Sequence, residues 1–147
     1  MKRGVNMGTF GNVLADLMLE ANITSKILAN KIGVSEPTVS TWKSNTHGVQ
    51  LSHLVALCKY FECSLEYLAG RTEQIAKPTN FTIDNFGMQV RKVMKSKGIS
   101  SYVLRKETRY TSKYFYDWDR GADPKLSTLV ELAGYFGCSL DELVGLE

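Results

Sequence analysis

The chain repeats itself, and that repeat limits its fold more than any other feature. Residues 51–70 read LSHLVALCKYFECSLEYLAG, and residues 126–145 read LSTLVELAGYFGCSLDELVG. Twelve of these 20 positions are identical, and Glu66 matches Asp141. Upstream, Phe10–Gly11 matches Phe86–Gly87, Met18 matches Met94, Ile23 matches Ile99, Leu28 matches Leu104, and Trp42 matches Trp118. The offset slips by one residue between the tryptophan and the leucine, so one loop is a residue shorter in the second copy. A 147-residue chain that would pass for one domain by length therefore reads as two units of about 60 residues, each able to build a small core. The expected limits are 1–71 for the first unit, with 1–8 a flexible tail, and 85–147 for the second. The polar stretch 72–84, with Pro78, is a linker.

Helical periodicity fills each unit. Phe10, Val13, Leu14, Leu17, Met18 and Ala21 fall on one helical face. Asn22 interrupts it, and Thr24 or Ser25 can cap a second helix carrying Leu28, Ala29 and Ile32, which Gly33 ends. Ser35 caps a third helix with Pro37 in its first turn, where the missing N–H costs little, and with Val39 and Trp42 inward. After a loop over 44–50, Leu51, Leu54, Val55, Cys58 and Phe61 form a fourth stripe. Ser64 caps a fifth helix that Gly70 terminates. Nothing alternates with strand period over a useful length, so the expected class is all-α, two tandem five-helix units.

The segment 25–42, SKILANKIGVSEPTVSTW, carries the functional signal. A helix-turn-helix needs a small residue where its helices cross, a residue tolerant of positive φ in the turn, and apolar anchors on both sides. Ala29, Gly33, and Leu28, Ile32, Val34, Val39 and Trp42 meet these needs. The segment resembles the helix-turn-helix of phage Cro and repressor proteins, the xenobiotic-response-element type. SLEYLAGRTE (64–73) resembles that family's closing helix, and the likeness covers nearly the whole chain as two copies.

With Val39 and Trp42 inward, helical geometry turns Glu36, Pro37, Thr38, Ser40 and Thr41 outward on a helix from Ser35 to Lys43. The resemblance puts Glu36, Pro37 and Thr41 at the family's base-reading positions in the major groove of DNA. A carboxylate there can accept from a cytosine amino group, threonine can offer hydroxyl and methyl, and proline can touch a thymine methyl. Thr24, Ser25 and Lys26 open the preceding helix, where free N–H groups and the helix dipole favour phosphate. The resemblance puts Lys43, Asn45 and Thr46 in a loop that approaches the DNA backbone.

The second copy, SYVLRKETRYTSKYFYDW (101–118), departs from this pattern. Arg105 replaces the small crossing residue, Arg109 the turn glycine, and Thr108 an apolar anchor, so a reshaped turn or a shorter second helix is expected. Its outward face reads Ser112, Lys113, Tyr114, Tyr116 and Asp117, a surface suited to DNA or to protein. Basic and acidic residues cancel over 10–50, whereas 86–125 holds ten basic residues against four acidic, a net +6. Since phosphate neutralisation supplies most non-specific affinity, copy one is expected to read sequence and copy two to grip the backbone, with Ser112, Lys113, Tyr114, Tyr116 and Arg120 among the contacts. The rival expectation makes copy two a packing or dimerisation module.

The expected function is that of a sequence-specific regulator of transcription, a repressor, binding double-stranded DNA. The alternative is a protein-interaction module, as in antitoxins of this family. Two copies on one chain can imitate the family's dimer, or a homodimer can present four. No phosphate loop, paired-histidine zinc motif or nucleophile elbow occurs, so an enzyme is not expected. Three cysteines (Cys58, Cys63, Cys138) with no CxxC pair predict reduced thiols and no metal. No cofactor or small-molecule ligand is expected. The absence of a long apolar run or signal-like start predicts no membrane contact and a cytoplasmic protein.

Overall fold

A computed structural model describes residues 9–44 and 48–146. The expected tail 1–8 lies outside them. Copy one consists of α1 (Phe10–Glu20), α2 (Ser25–Ile32), α3 (Glu36–Ser44), α4 (Leu51–Phe61) and α5 (Leu65–Leu68). Copy two consists of α6 (Phe86–Lys97), α7 (Ser101–Glu107), α8 (Ser112–Asp119), α9 (Leu126–Phe136) and α10 (Leu140–Val144). Among the described residues the class is all-α, without a strand beyond the single antiparallel bridge of Gln50 with Lys125.

Local chemistry sets the ends. The Thr9, Thr24, Ser64, Asn85, Ser100 and Ser139 side chains each accept from an N–H in the first turn of the helix they precede, satisfying groups a helix cannot satisfy itself. Gly33, at φ 88°, closes α2 in the left-handed region, a conformation that costs a residue with a Cβ about 1 kcal/mol. Asn22 takes φ 56° just beyond α1.

The inward stripes meet in the core of each copy. Leu14, Leu28, Val39, Leu54, Leu57 and Leu65 are fully buried in copy one, and Val90, Leu104, Leu129, Leu132, Leu140 and Leu143 in copy two. Burying side chains of this size is worth roughly 1.5–3 kcal/mol apiece. In copy two an aromatic cluster replaces aliphatic packing. Phe86 and Phe115 meet Trp118 edge-on at 4.9 and 5.0 Å, and Tyr110, 1% exposed, stands where copy one has the half-buried Val34. Gly87 makes room at this place, since a methyl there would collide with the Asp119 carboxylate.

Segment 72–84 has no helix, yet it is not detached. Pro78 is buried, Phe81 and Ile83 pack against the core, and the Ile75 carbonyl accepts from Ser64 N–H at 2.8 Å. The copies also touch directly. Leu51 N–H donates to Pro124 O and Leu126 N–H to Val49 O, both at 2.8 Å. Asp141 accepts from the N–H groups of Leu65 (2.8 Å) and Glu66 (2.9 Å), while Glu66 accepts from Leu140 N–H at 2.8 Å. Burial pushes the Asp141 carboxyl above its ordinary value, and the two amide bonds pull it back.

Candidate nucleic-acid interface

In copy one α3 packs closely on α2 and α1 through Val39 and Trp42, both buried. Glu36, Pro37, Ser40, Thr41 and Lys43 are exposed along the opposite side. The Ser35 hydroxyl accepts from Thr38 N–H at 3.3 Å and pairs with the Thr38 hydroxyl at 2.8 Å. Thr38 is half-buried, and its hydroxyl is tied to this cap rather than held out. The Thr41 hydroxyl donates to Pro37 O at 3.0 Å, which leaves its methyl and lone pairs available. Lys26 and Thr24 are exposed and Ser25 half-buried at the start of α2, where Thr24 Oγ1 already accepts from Ile27 N–H at 3.2 Å. The remaining N–H groups of that turn lie beside Lys26 and form a place where negative charge is stabilised. Asn45 and Thr46 lie outside the described residues.

Copy two builds the same two helices differently. α7 ends a residue earlier than α2, at Glu107. Its cap Thr108 is extended (φ −134°), and Arg109 is not among the residues at positive φ. Thr108 rebuilds the turn with its side chain, donating to Leu104 O at 2.7 Å and accepting from Tyr110 N–H at 3.1 Å. The turn thus dispenses with glycine. α8 rests on α6, but it does not pack on α7 as α3 packs on α2. The arginine that replaces the small crossing residue is consistent with that separation. A cleft of about 290 Å³ opens between them, lined by Arg91, Ser101, Arg105, Ser112, Phe115, Tyr116 and Asp119.

On α8, Ser112, Lys113 and Tyr116 are exposed, as is Arg120 just after it. Lys113 pairs with Asp117 at 3.5 Å, and the Arg120 guanidinium lies 5.2 Å from the Tyr116 ring centre. Tyr114 turns less outward than its spacing suggests. It is 36% exposed, with its ring edge-on to Tyr110 at 4.9 Å, because the aromatic core offers a better partner than water. Asp117 is half-buried. Arg91 holds Asp119 in a two-bonded pair at 2.7 and 2.9 Å, which lowers the Asp119 carboxyl below its usual value. Arg105 is a residue the helix pattern gave no reason to select. It reads from sequence as a lost crossing residue, and only the separation of α7 from α8 turns it toward the cleft.

No described helix is long and apolar enough to cross a membrane. Among the described residues no cluster of histidine, cysteine and carboxylate side chains could hold a metal ion. Two all-α units, each with a helix pair whose second member is exposed along one side, define a class of tandem helix-turn-helix proteins. The model of the Cro/C1-type helix-turn-helix DNA-binding domain matches residues 13–74 and again 89–147, and the chain belongs to that family, carried in two copies. No curated protein and no solved structure shows a significant match to the chain.

Proposed function

We propose that the chain is a sequence-specific regulator of transcription that binds double-stranded DNA, with α3 in the major groove, and represses by occupying its site. This reading rests on the exposed row Glu36, Pro37, Ser40, Thr41 and Lys43, on a short helix held from behind by Val39 and Trp42. Glu36, Pro37 and Thr41 would meet base edges, and Thr24, Ser25, Lys26 and Lys43 the phosphates. Ser35 orders the helix start, and Thr38 contributes its methyl more than its hydroxyl. Asn45 and Thr46 would extend the backbone contacts. The working units are residues 1–71 and 85–147, joined by 72–84, and the setting is the cytoplasm.

Copy two would supply the electrostatic grip. Its net charge of +6 over 86–125 stands against zero over 10–50. Lys113, Ser112 and Tyr116 lie along α8, with Arg120 just beyond its end and Tyr114 at its edge. Titration with random duplex DNA at low and moderate salt tests the reading. Binding that weakens steeply with salt is expected. No binding at either salt would favour the second reading, a protein-interaction module, for which the exposed rings of Tyr102 (63%) and Tyr116 (60%) speak.

A further inference from the structure

The surface between the copies is made of matching residues used in both directions. Residues 49, 51, 65 and 66 correspond to 124, 126, 140 and 141 at the repeat offset. The bond from Leu51 N–H to Pro124 O has its counterpart in the bond from Leu126 N–H to Val49 O, at the same 2.8 Å. Asp141 caps the start of α5 through Leu65 N–H, and Glu66 caps the start of α10 through Leu140 N–H, again both at 2.8 Å. The Gln50–Lys125 bridge is antiparallel and pairs two equivalent residues. Contacts in which residue i meets j and j meets i are the mark of a two-fold axis. Copies arranged head to tail would meet through unlike surfaces instead.

We infer that the chain is a dimer built into one polypeptide, and that one chain reads a single duplex site made of two inverted but unlike halves, one by α3 and the other by α8. This rests on the DNA-binding reading above. The inversion follows from the two-fold relation, which turns the second reading helix to face the opposite way along the duplex. The single-chain stoichiometry follows because the self-complementary surface is already occupied within the chain, at the high effective concentration a covalent link provides.

The halves are unlike because the outward residues are. Where α3 shows Glu36 and Pro37, α8 shows Ser112 and Lys113, and where α3 shows Ser40 and Thr41, α8 has the exposed Tyr116 and the half-buried Asp117. A carboxylate accepts from the cytosine amino group, whereas an ammonium donates to guanine O6 and N7. The α7–α8 cleft adds the exposed guanidinium of Arg105 beside Ser101 and Ser112, donors suited to a phosphate oxygen of the second half. Even the shared surface is unequal in detail. Asp123 accepts from Ser52 N–H at 2.9 Å, and the equivalent position in copy one is Gly48, which has no side chain to reciprocate.

Selection of duplexes from a random pool by the full chain, with light scattering on the selected complex, tests the inference. Expected are one chain per duplex and two different half-sites with centres about one helical turn, roughly 34 Å, apart. A chain carrying the α3 face on α8 (Ser112→Glu, Lys113→Pro, Tyr116→Ser, Asp117→Thr) should then select a palindrome. Glu36→Gln and Lys113→Gln, exposed single changes that leave the core intact, should each relax one half only, whether or not the multiple variant folds. Two chains per duplex, a single half-site, or a direct repeat selected by the multiple variant would overturn the inference while leaving DNA binding intact. No duplex selected at low salt would overturn both.

Discussion

Gly33 and Arg109 stand at the same place in the two copies, and the backbone solves the same turn in two ways. Gly33 supplies φ 88° directly, with open space around it, so Gly33→Ala should lower stability by about 1 kcal/mol through backbone strain alone. A thermal melt measures this, and an unchanged midpoint would show that the turn relaxes as it does in copy two. Cys58 is fully buried, and a hydrogen bond to Cys63 together with burial pushes its thiol well above the ordinary value. Alkylation of Cys58 in the folded protein should therefore be slow and rise to the free-thiol rate on unfolding, as followed by mass spectrometry. Caps and turn glycines are legible in sequence because they act within three or four residues. Thr24, Ser35, Gly33 and Ser64 all serve as their spacing implies. Tyr114 is not legible, because its orientation depends on Tyr110, a ring whose place in the core no local pattern states.

The helices divide by how far their roles are local. α3 is exposed along one side because Val39 and Trp42 lie three apart, and that much follows from periodicity. α8 carries the equivalent inward pair, Phe115 half-buried and Trp118 buried, yet its separation from α7 and the cleft with Arg105 depend on a rebuilt turn. Replacing Lys113 and Arg120 together with alanine should reduce the salt slope of DNA binding by up to about 2, near 0.9 for each phosphate no longer neutralised. An unchanged slope would remove α8 from the interface. The Arg91–Asp119 pair ties α6 to the end of α8. A native carboxyl lowered below its unfolded value adds stability above that unfolded value, and loses it as pH falls through the depressed one. The melting-temperature gap between the wild type and Asp119→Asn should therefore narrow on acidification through and below the ordinary carboxylate range. A gap independent of pH would contradict the assignment.

The repeat announces two units but not how they meet. The reciprocal bonds join residues 73–77 apart in sequence, and such pairings leave no local period to read. Phe81 and Ile83 likewise sit in a polar string whose packing depends on the assembled surface. Asp141→Ala should cost about 1–2 kcal/mol, since it strips two caps from α5 in the other copy, and a melt should show it as loss from the entire chain rather than from copy two alone. Whether α3 lies in the major groove is open to a chemical probe of the bound duplex. Dimethyl sulfate modifies guanine N7 in the major groove and adenine N3 in the minor, so a protection experiment separates the two. Guanine N7 protection that disappears at one half of the site in Glu36→Ala/Thr41→Ala is the expected result. Guanines left fully reactive under a saturating complex, or protection indifferent to those two substitutions, would contradict it.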